Sequence, residues 1–276
     1  MKRLAILSIA MLLAACASLS GSSGRQGVSS SLVDYLYPQG EVPPKQAGVI
    51  THLQLPLAVG LAFVPSQSSN TQVLSEAERM KLLNDVKKFF EGRDFIREIA
   101  VIPDAYLRSG RGFDTLEQTA RLYGLDVMAL VSYDQVAHTA ETTSSFLYWT
   151  IVGAYVVKGN KNDVQTFVDT AVFDVATRKL LFRAPGVNDF KSSSTLVDVE
   201  RDVRAAQQKG LELAMADMTV NLDKELSVFK ERIRTDGSVR VTRMDGSEDG
   251  GGGVATVGFL MLITGLLMVS PRRRRR

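Results

Sequence analysis

Cysteine and histidine, which supply many catalytic and metal-binding groups, are scarce in this chain of 276 residues, which has one cysteine and two histidines. A single cysteine excludes an internal disulfide and the C-x-x-C patterns of redox and zinc sites. His52 and His138 lie in neither an H-x-x-x-H nor an H-x-E pattern. We expect both at the surface or at a strand edge, and we predict no bound metal and no other cofactor.

Known catalytic and nucleotide-binding motifs are missing as well. The chain has no G-x-S-x-G motif, no P-loop and no dinucleotide-binding fingerprint. Asp198, Glu200 and Asp202 stand where a last helix would begin, and carboxylates there suit the helix dipole better than paired acid–base catalysis. The acidic residues of 245–249 lack the spacing of a calcium loop. We therefore predict that the protein is not an enzyme.

An excess of one charge is absent from the body of the chain. The formal net charge is +3, but Lys2, Arg3 and the five residues Arg272–Arg276 lie at the two ends. Without them the chain has 26 basic and 30 acidic residues, a net charge of about −4. The basic character therefore comes from terminal segments, and it predicts no binding to nucleic acid.

The first 16 residues, MKRLAILSIAMLLAAC, have the parts of a bacterial export signal. A basic start precedes an apolar stretch that is too short to span a membrane comfortably. The segment ends in Leu13-Ala14-Ala15-Cys16 and resembles the lipobox of bacterial lipoproteins. The resemblance implies cleavage between Ala15 and Cys16, lipid on Cys16 and, because Ala17 follows rather than Asp, the outer membrane. An ordinary secretory signal is the alternative.

The last 32 residues, DGSEDGGGGVATVGFLMLITGLLMVSPRRRRR, predict a membrane span. Residues 254–270 are uncharged and give ~26 Å of helix, which the preceding glycines extend to the ~30 Å of a hydrocarbon core. The arginines that follow remain in the cytoplasm by the positive-inside rule, so the body lies outside. The glycines are Gly250, Gly251, Gly252 and Gly253, and the arginines are Arg272, Arg273, Arg274, Arg275 and Arg276.

The order of glycine run, short span and arginine cluster resembles the GlyGly-CTERM sorting signal. That resemblance implies cleavage near the glycines by a rhomboid-like intramembrane protease, a rhombosortase. Four glycines suit such a cut, because each disfavours helix by ~1 kcal/mol relative to alanine. A permanent C-terminal anchor is the alternative.

Together, the lipobox and this tail resemble the rhombotarget lipoprotein family, and residues 148–153 and 180–186 resemble it too. The family is defined by its processing, and its body has no assigned activity. On this basis the chain divides into a lipoprotein signal peptide at 1–15, a tether and irregular segment at 16–44, a globular domain at 45–235, a polar linker at 236–249, and a sorting tail with its transmembrane segment at 250–276.

The globular domain is predicted to be α+β or α/β, with a mixed sheet, two short helices and a long C-terminal helix. Capping-box patterns at 75–78 and 114–117 predict the starts of the short helices. Gly92 and Gly124 predict their ends. The last helix, 195–234, is either continuous or broken near Gly210.

The predicted strands are 48–64 with a break at Pro56, 95–102, 127–133, and a meander of 146–157, 164–175 and 180–183. Turns are expected at 159–163 and 176–179. The apolar run 146–157 is either a strand buried on both faces or half of a membrane-inserting hairpin with 164–175. The order of elements, with Asp174–Leu180 as a D-x-x-T-x-x-L strand, resembles the small domain of the curli secretion lipoprotein.

These observations predict an exported lipoprotein of the cell envelope whose body is a non-catalytic binding or structural domain. The expected partners are membrane lipid through Cys16, the lipoprotein-processing enzymes and the rhombosortase, and the oligomeric state is left open. Two alternatives remain: an oligomeric envelope export or assembly component, and an envelope hydrolase with an unrecognised site.

The lipobox leads to a first prediction. The mature protein should begin at Cys16 and carry acyl chains there, which mass spectrometry of the N-terminal peptide measures. A Cys16→Ala variant should carry none, because it lacks the acceptor sulfur. An unmodified Cys16 in the mature protein would contradict the prediction.

Overall fold

The computed structural model describes residues 24–40, 50–66, 74–141, 160–195, 198–235, 237 and 239–243. Its elements confirm the predicted α+β class with a mixed sheet, short helices and one long helix. The strands are β1 Gly24–Ser29, β2 Thr51–Leu55, β3 Leu57–Phe63, β4 Ile96–Val101, β5 Val127–Glu141, β6 Asn160–Asp174, β7 Leu180–Ser194 and β8 Val239–Arg243. The helices are α1 Leu32–Leu36, α2 Glu76–Phe90, α3 Asp104–Arg108, α4 Gly112–Tyr123 and α5 Val199–Thr235.

The main sheet has the order β4-β3-β5-β6-β7. Strands β4, β3 and β5 run parallel, and β5, β6 and β7 form an antiparallel meander. Strand β1 pairs antiparallel with the second half of β5, on the edge whose first half pairs with β3. Ser30 joins the two halves of that edge, because its backbone N–H donates to the Tyr133 carbonyl and its hydroxyl accepts from the Tyr133 N–H.

The meander differs from the predicted one in its first strand, which is β5 instead of 146–157, and in its strand lengths. Residues 160–163, predicted as a turn, are the start of β6, and β7 continues eleven residues beyond the predicted strand 180–183. Residues 146–157 lie outside the described part of the chain. The hairpin of 146–157 with 164–175 is wrong, because β5 and β7 occupy both edges of β6.

The predicted turn at 176–179 is present, whereas Asp174–Leu180, predicted as a D-x-x-T-x-x-L strand, spans this turn from the end of β6 to the start of β7. The Asp174 carboxylate accepts hydrogen bonds from the backbone N–H and the hydroxyl of Thr177. Arg178, at φ 59°, extends to α4, where it pairs with Asp114 at 2.8 Å and Glu117 at 2.6 Å. These two acids bind Arg178 instead of capping a helix. The predicted capping box at 114–117 is therefore wrong, and α4 begins at Gly112 without a side-chain cap.

The other local helix signals are confirmed. Ser75 and Glu78 form a capping box at the start of α2, and Glu78 also accepts a hydrogen bond from Gln208 of α5. Helix α2 ends before Gly92, and Gly124 ends α4 in the left-handed conformation at φ 66°. Both glycines meet a backbone requirement that other residues satisfy only with strain.

Helix α5 is continuous over 37 residues, so the predicted break near Gly210 does not occur. It is about 55 Å long and lies across β7 and β6. A Cβ atom at Gly210 would lie 3.0 Å from the Thr166 hydroxyl of β6. Gly210 is thus a position of close helix–sheet packing, and its missing side chain serves the contact rather than a bend.

Two segments predicted as irregular belong to the fold. Within the predicted tether 16–44, residues 24–29 form β1 and residues 32–36 form α1. Within the predicted linker 236–249, residues 239–243 form β8, which pairs parallel with β2. Each strand depends on a partner far along the chain, which a local pattern does not reveal.

The core has two layers on opposite faces of the sheet. Helices α2 and α5 cover one face, with Leu83, Val131 and Met218 at its centre. Helices α1, α3 and α4 cover the other face of the parallel half, around Leu116 and Leu130. This arrangement leaves the junction of α2 and α5 as the place where two helices meet over the parallel strands.

The contact between α5 and β7 gives a second prediction. A Cβ atom at Gly186 would lie 2.3 Å from the Ala214 carbonyl oxygen and 2.5 Å from the Met218 nitrogen. Because both are backbone atoms, Gly186→Ala should lower the free energy of unfolding by at least about 3 kcal/mol. Urea unfolding measures this, with Gly237→Ala as control, since a Cβ there meets nothing within 4 Å. Equal stability of the two variants would contradict the packing.

Candidate functional site

An apolar cavity of about 110 Å³ lies between α2, α5 and the amino ends of the parallel strands. Val86 and Phe90 of α2 face it from one side, and Leu222 and Leu226 of α5 face it from the other. Among the described residues that line it, Lys87 is the one with an ionisable side chain. These residues are Leu53, Leu57, Val59, Leu61, Val86, Lys87, Phe90, Phe95, Ile96, Ile99, Val127, Ala129, Val172, Leu181, Phe182, Leu222, Leu226 and Phe229.

The cavity opens to the surface. Val59 lies on β3, which is covered on both edges by β4 and β5, yet its side chain is only partly buried. Leu57, Ile96 and Leu226 are likewise partly exposed although they pack against the core. A row of apolar side chains that faces an opening in this way is typical of a site for an apolar ligand.

Cationic side chains lie against the aromatic rings of this lining. The Lys230 ammonium lies 3.8 Å from the Phe95 ring centroid, and the Arg93 guanidinium lies 4.7 Å from that of Phe90. Arg93 also pairs with Asp223 of α5 at 2.5 Å. The apolar cavity therefore has a basic margin on the side where α2 ends.

A buried ion-pair cluster lies at the opposite, carboxyl end of the parallel strands. Arg79 of α2 and Asp104 of α3 are each 5% exposed, and they pair at 3.1 Å. Glu76 pairs with Arg79 at 2.7 Å, and Arg108 pairs with Asp104 at 3.3 Å. The Asp104 backbone N–H also donates to Glu76. The cluster joins α2 to α3 at the point where β4 ends.

The two carboxyl groups of this cluster shift in opposite directions. Burial raises the pKa of Asp104, although the guanidinium groups of Arg79 and Arg108 oppose the shift. At Glu76 the effect of burial is outweighed by hydrogen bonds from Arg79 and the Asp104 backbone, so the pKa of Glu76 is lowered. Burial also raises the pKa of the Tyr35 and Tyr133 hydroxyls, and the Asp104 carboxylate adds to both shifts. One Asp104 oxygen and the Tyr35 hydroxyl have no hydrogen-bond partner within the described part of the chain. At Asp104 the cost of burying a carboxylate therefore outweighs the attraction of the two guanidinium groups.

Another buried polar group, Gln135 of β5, holds α5 to the sheet. The Gln135 side-chain amide donates to the Thr166 hydroxyl at 2.7 Å and to the Gln207 carbonyl of α5 at 2.8 Å. These bonds satisfy buried donors inside an otherwise apolar contact. They serve the packing, and they lie far along the sheet from the cavity.

The site residues predicted from the sequence lie elsewhere. The predicted sites at the two ends lie outside the described residues and remain predictions; they are Ala15, Cys16, the glycine run and the arginine cluster. The membrane span between the glycine run and the arginine cluster remains a prediction as well. His52 on β2 and His138 on β5 are both exposed, as expected. Glu200 and Asp202 lie in the first turn of α5, which agrees with the dipole interpretation.

Sequence reasoning missed both the cavity and the ion-pair cluster. The cavity is made of residues that read as ordinary core positions. Arg79 offered a signal, since it falls at a helical spacing of four from Leu83 and seven from Val86, the buried stripe of α2.

Among the residues that the structure describes, no group of three or more His, Cys, Asp or Glu side chains is arranged to hold a metal ion. No helix in the described ranges is both long enough and apolar enough to cross a membrane.

Comparison with known proteins gives structural likeness only. No protein-family model and no curated protein sequence matches the chain. A protein of Helicobacter pylori described as a neuraminyllactose-binding hemagglutinin homologue is similar at 10% identity and a TM-score of 0.37, covering 66% of this chain and 94% of its own. A DUF330 protein of Xanthomonas campestris is similar at 12% identity and a TM-score of 0.33. The likeness covers 68% of this chain and 95% of that protein. A Neisseria meningitidis lipoprotein is similar at 12% identity and a TM-score of 0.23. The likeness covers 58% of this chain and 96% of that lipoprotein.

The buried pair gives a third prediction. Arg79→Met leaves the Asp104 carboxylate buried with only the half-exposed Arg108, so unfolding should become easier by about 3–5 kcal/mol at pH 7. A raised carboxyl pKa stabilises the fold below the unfolded-state pKa and loses that contribution as pH rises through the folded-state pKa. The deficit relative to wild type should therefore shrink on acidification.

Urea unfolding between pH 5 and pH 8 measures this deficit. The control is Arg79→Met with Asp104→Asn, which removes both charges and should recover most of the loss at pH 7. A deficit that stays constant across this range would contradict the role of the buried carboxylate.

Proposed function

We propose that this chain is an exported bacterial lipoprotein, anchored by lipid on Cys16, whose body binds a ligand without catalysis in the cell envelope. The observation that carries the binding role is the apolar cavity between α2 and α5. The described residues that line it offer no carboxylate, histidine, hydroxyl or thiol for acid–base or nucleophilic chemistry. Binding rather than hydrolysis is the function that such a site supports.

Anchoring and location rest on the two terminal signals. Leu13-Ala14-Ala15-Cys16 supports lipidation, and several acyl chains give stable anchoring because each buried methylene contributes ~0.8 kcal/mol. Ala17 supports the outer membrane or cell surface as the destination. The tail would hold the chain in the inner membrane until the rhombosortase cuts near Gly250–Gly253.

Geometry supports removal of the tail. A body of ~200 residues has a radius of gyration of only ~16 Å. It is too small to connect a lipid in the outer membrane with a span in the inner membrane. Cleavage resolves the conflict and leaves Cys16 as the permanent attachment.

The fourth prediction tests this processing. Intact-mass spectrometry of protein from a host with the rhomboid-like protease should show acylated Cys16 and loss of Arg272–Arg276. Leucines in place of Gly250–Gly253 should block the cut, because they stabilise helix at the membrane edge. Gly246→Leu, upstream of the run, is the control and should be processed normally. A mature protein that retains Arg276 would refute the processing.

A further inference from the structure

We propose that the cavity between α2 and α5 binds the hydrocarbon chain of a fatty acid, with the carboxylate beside Lys87, Arg93 and Lys230. This inference deepens the binding role proposed above and rests on it. It does not require the lipid on Cys16, because the described lining residues belong to the folded body between Leu53 and Phe229.

The size and lining of the cavity select hydrocarbon. Protein interiors normally contain few voids larger than a water molecule, whereas this one measures about 110 Å³. An engineered apolar cavity of about 150 Å³ stays dry and binds benzene. The space here therefore suits a run of several methylene groups, and its lining gives water or a polar ligand no partner.

The opening allows a longer chain than the cavity alone would hold. Leu57, Ile96 and Leu226 are partly exposed along the passage from the cavity to the surface. Chain atoms that do not fit inside would lie against these side chains. The ligand therefore extends outward, toward the basic margin, instead of being sealed within the core.

The charges at the margin select an anionic head group. Lys87 lines the cavity, is 32% exposed, and has Glu91 at 3.5 Å. Arg93 has Asp223, and Lys230 has a ring contact but no carboxylate partner among the described residues. Lys87 and Arg93 each have one carboxylate partner in the described part of the chain, so Lys230 is the cation of this margin that remains for the ligand.

A fatty acid fits this arrangement better than a phospholipid does. The cavity has room for part of one chain, so the second chain of a phospholipid would be exposed to water. A carboxylate is also small enough to lie beside Lys87, Arg93 and Lys230, of which Arg93 and Lys230 already contact rings of the lining. The single-chain amphiphile satisfies both limits.

The test is photolabelling of the mature protein in phosphatidylcholine nanodiscs with diazirine-labelled dodecanoic acid, followed by mapping of adducts by mass spectrometry. Adducts should fall on peptides that contain Val59, Phe90, Ile96 or Leu226, and unlabelled dodecanoate should compete. Adducts spread over the surface, or absent from these peptides, would overturn the proposal.

A filled cavity should lose the ligand. Ala129→Leu adds bulk to the floor and should reduce labelling about tenfold while the urea midpoint stays level or rises, since filling a cavity commonly stabilises a protein. Val228→Leu, on the exposed side of α5, should label as wild type. Undiminished labelling of a folded Ala129→Leu variant would overturn the proposal.

The head-group contact is tested by a second pair of matched variants. This pair also tests the binding of the fatty acid if Ala129→Leu does not fold. Lys87→Glu should weaken labelling about three- to tenfold, because it places a carboxylate at the mouth. Lys88→Glu, at a neighbouring side chain that is 73% exposed and outside the lining, should stay within about twofold. Equal effects of the two reversals would overturn the head-group assignment.

Two further experiments are needed. One identifies the source of the bound acyl chain, and the other separates this proposal from the proposed lipid anchoring. Phosphatidylcholine with a diazirine in its acyl chain should not label the lining peptides, and labelling that dodecanoate does not displace would identify a phospholipid site and refute the proposal. The full-length Cys16→Ala chain should still bind dodecanoate. A failure of acylation at Cys16 would thus refute the anchoring alone and leave the cavity assignment standing.

Discussion

Helix α5 rests directly on the sheet, and the rest of the structure depends on that contact. At Gly186 of β7 the two backbones approach so closely that there is no space for a methyl group between them. At Gly210 the helix meets β6 almost as tightly, beside the hydrogen bonds of Gln135. Two glycines, one on each partner, therefore fix the height of a helix about 55 Å long over the strands.

The position of α5 decides where the cavity lies. Helix α2 covers the same face, but side chains join it to α5 near its two ends, through Glu78 with Gln208 and Arg93 with Asp223. The second of these contacts lies beside the cavity, whose walls include Val86 and Phe90 of α2 and Leu222 and Leu226 of α5. The buried Arg79 holds the start of α2 against α3. Both walls of the cavity are thus held by polar contacts that lie outside it.

Local signals predicted local structure well, and their failures have physical causes. The capping box at Ser75 needs only four neighbouring residues, so its pattern was sufficient. The same pattern at Asp114 failed because Arg178, 64 residues away, takes both acids. The predicted strands stop before the second halves of β5 and β7, because burial there alternates along the strand and leaves no apolar run. Strands β1 and β8 were hidden because each is a short segment stabilised only by a distant partner.

The sequence by itself determined the α+β class, the capping box of α2 and the presence of a long last helix, because each is written in a contiguous segment. The export and sorting signals are contiguous as well, and they remain predictions. Only the tertiary structure decided the course of the meander, the continuity of α5, the buried pair of Arg79 and Asp104, and the cavity. All four depend on contacts between residues far apart in the chain. The cavity in particular exists because the side chains of α2, α5 and the sheet leave a space between them. No run of apolar letters distinguishes a side chain that packs against another from one that faces an empty space.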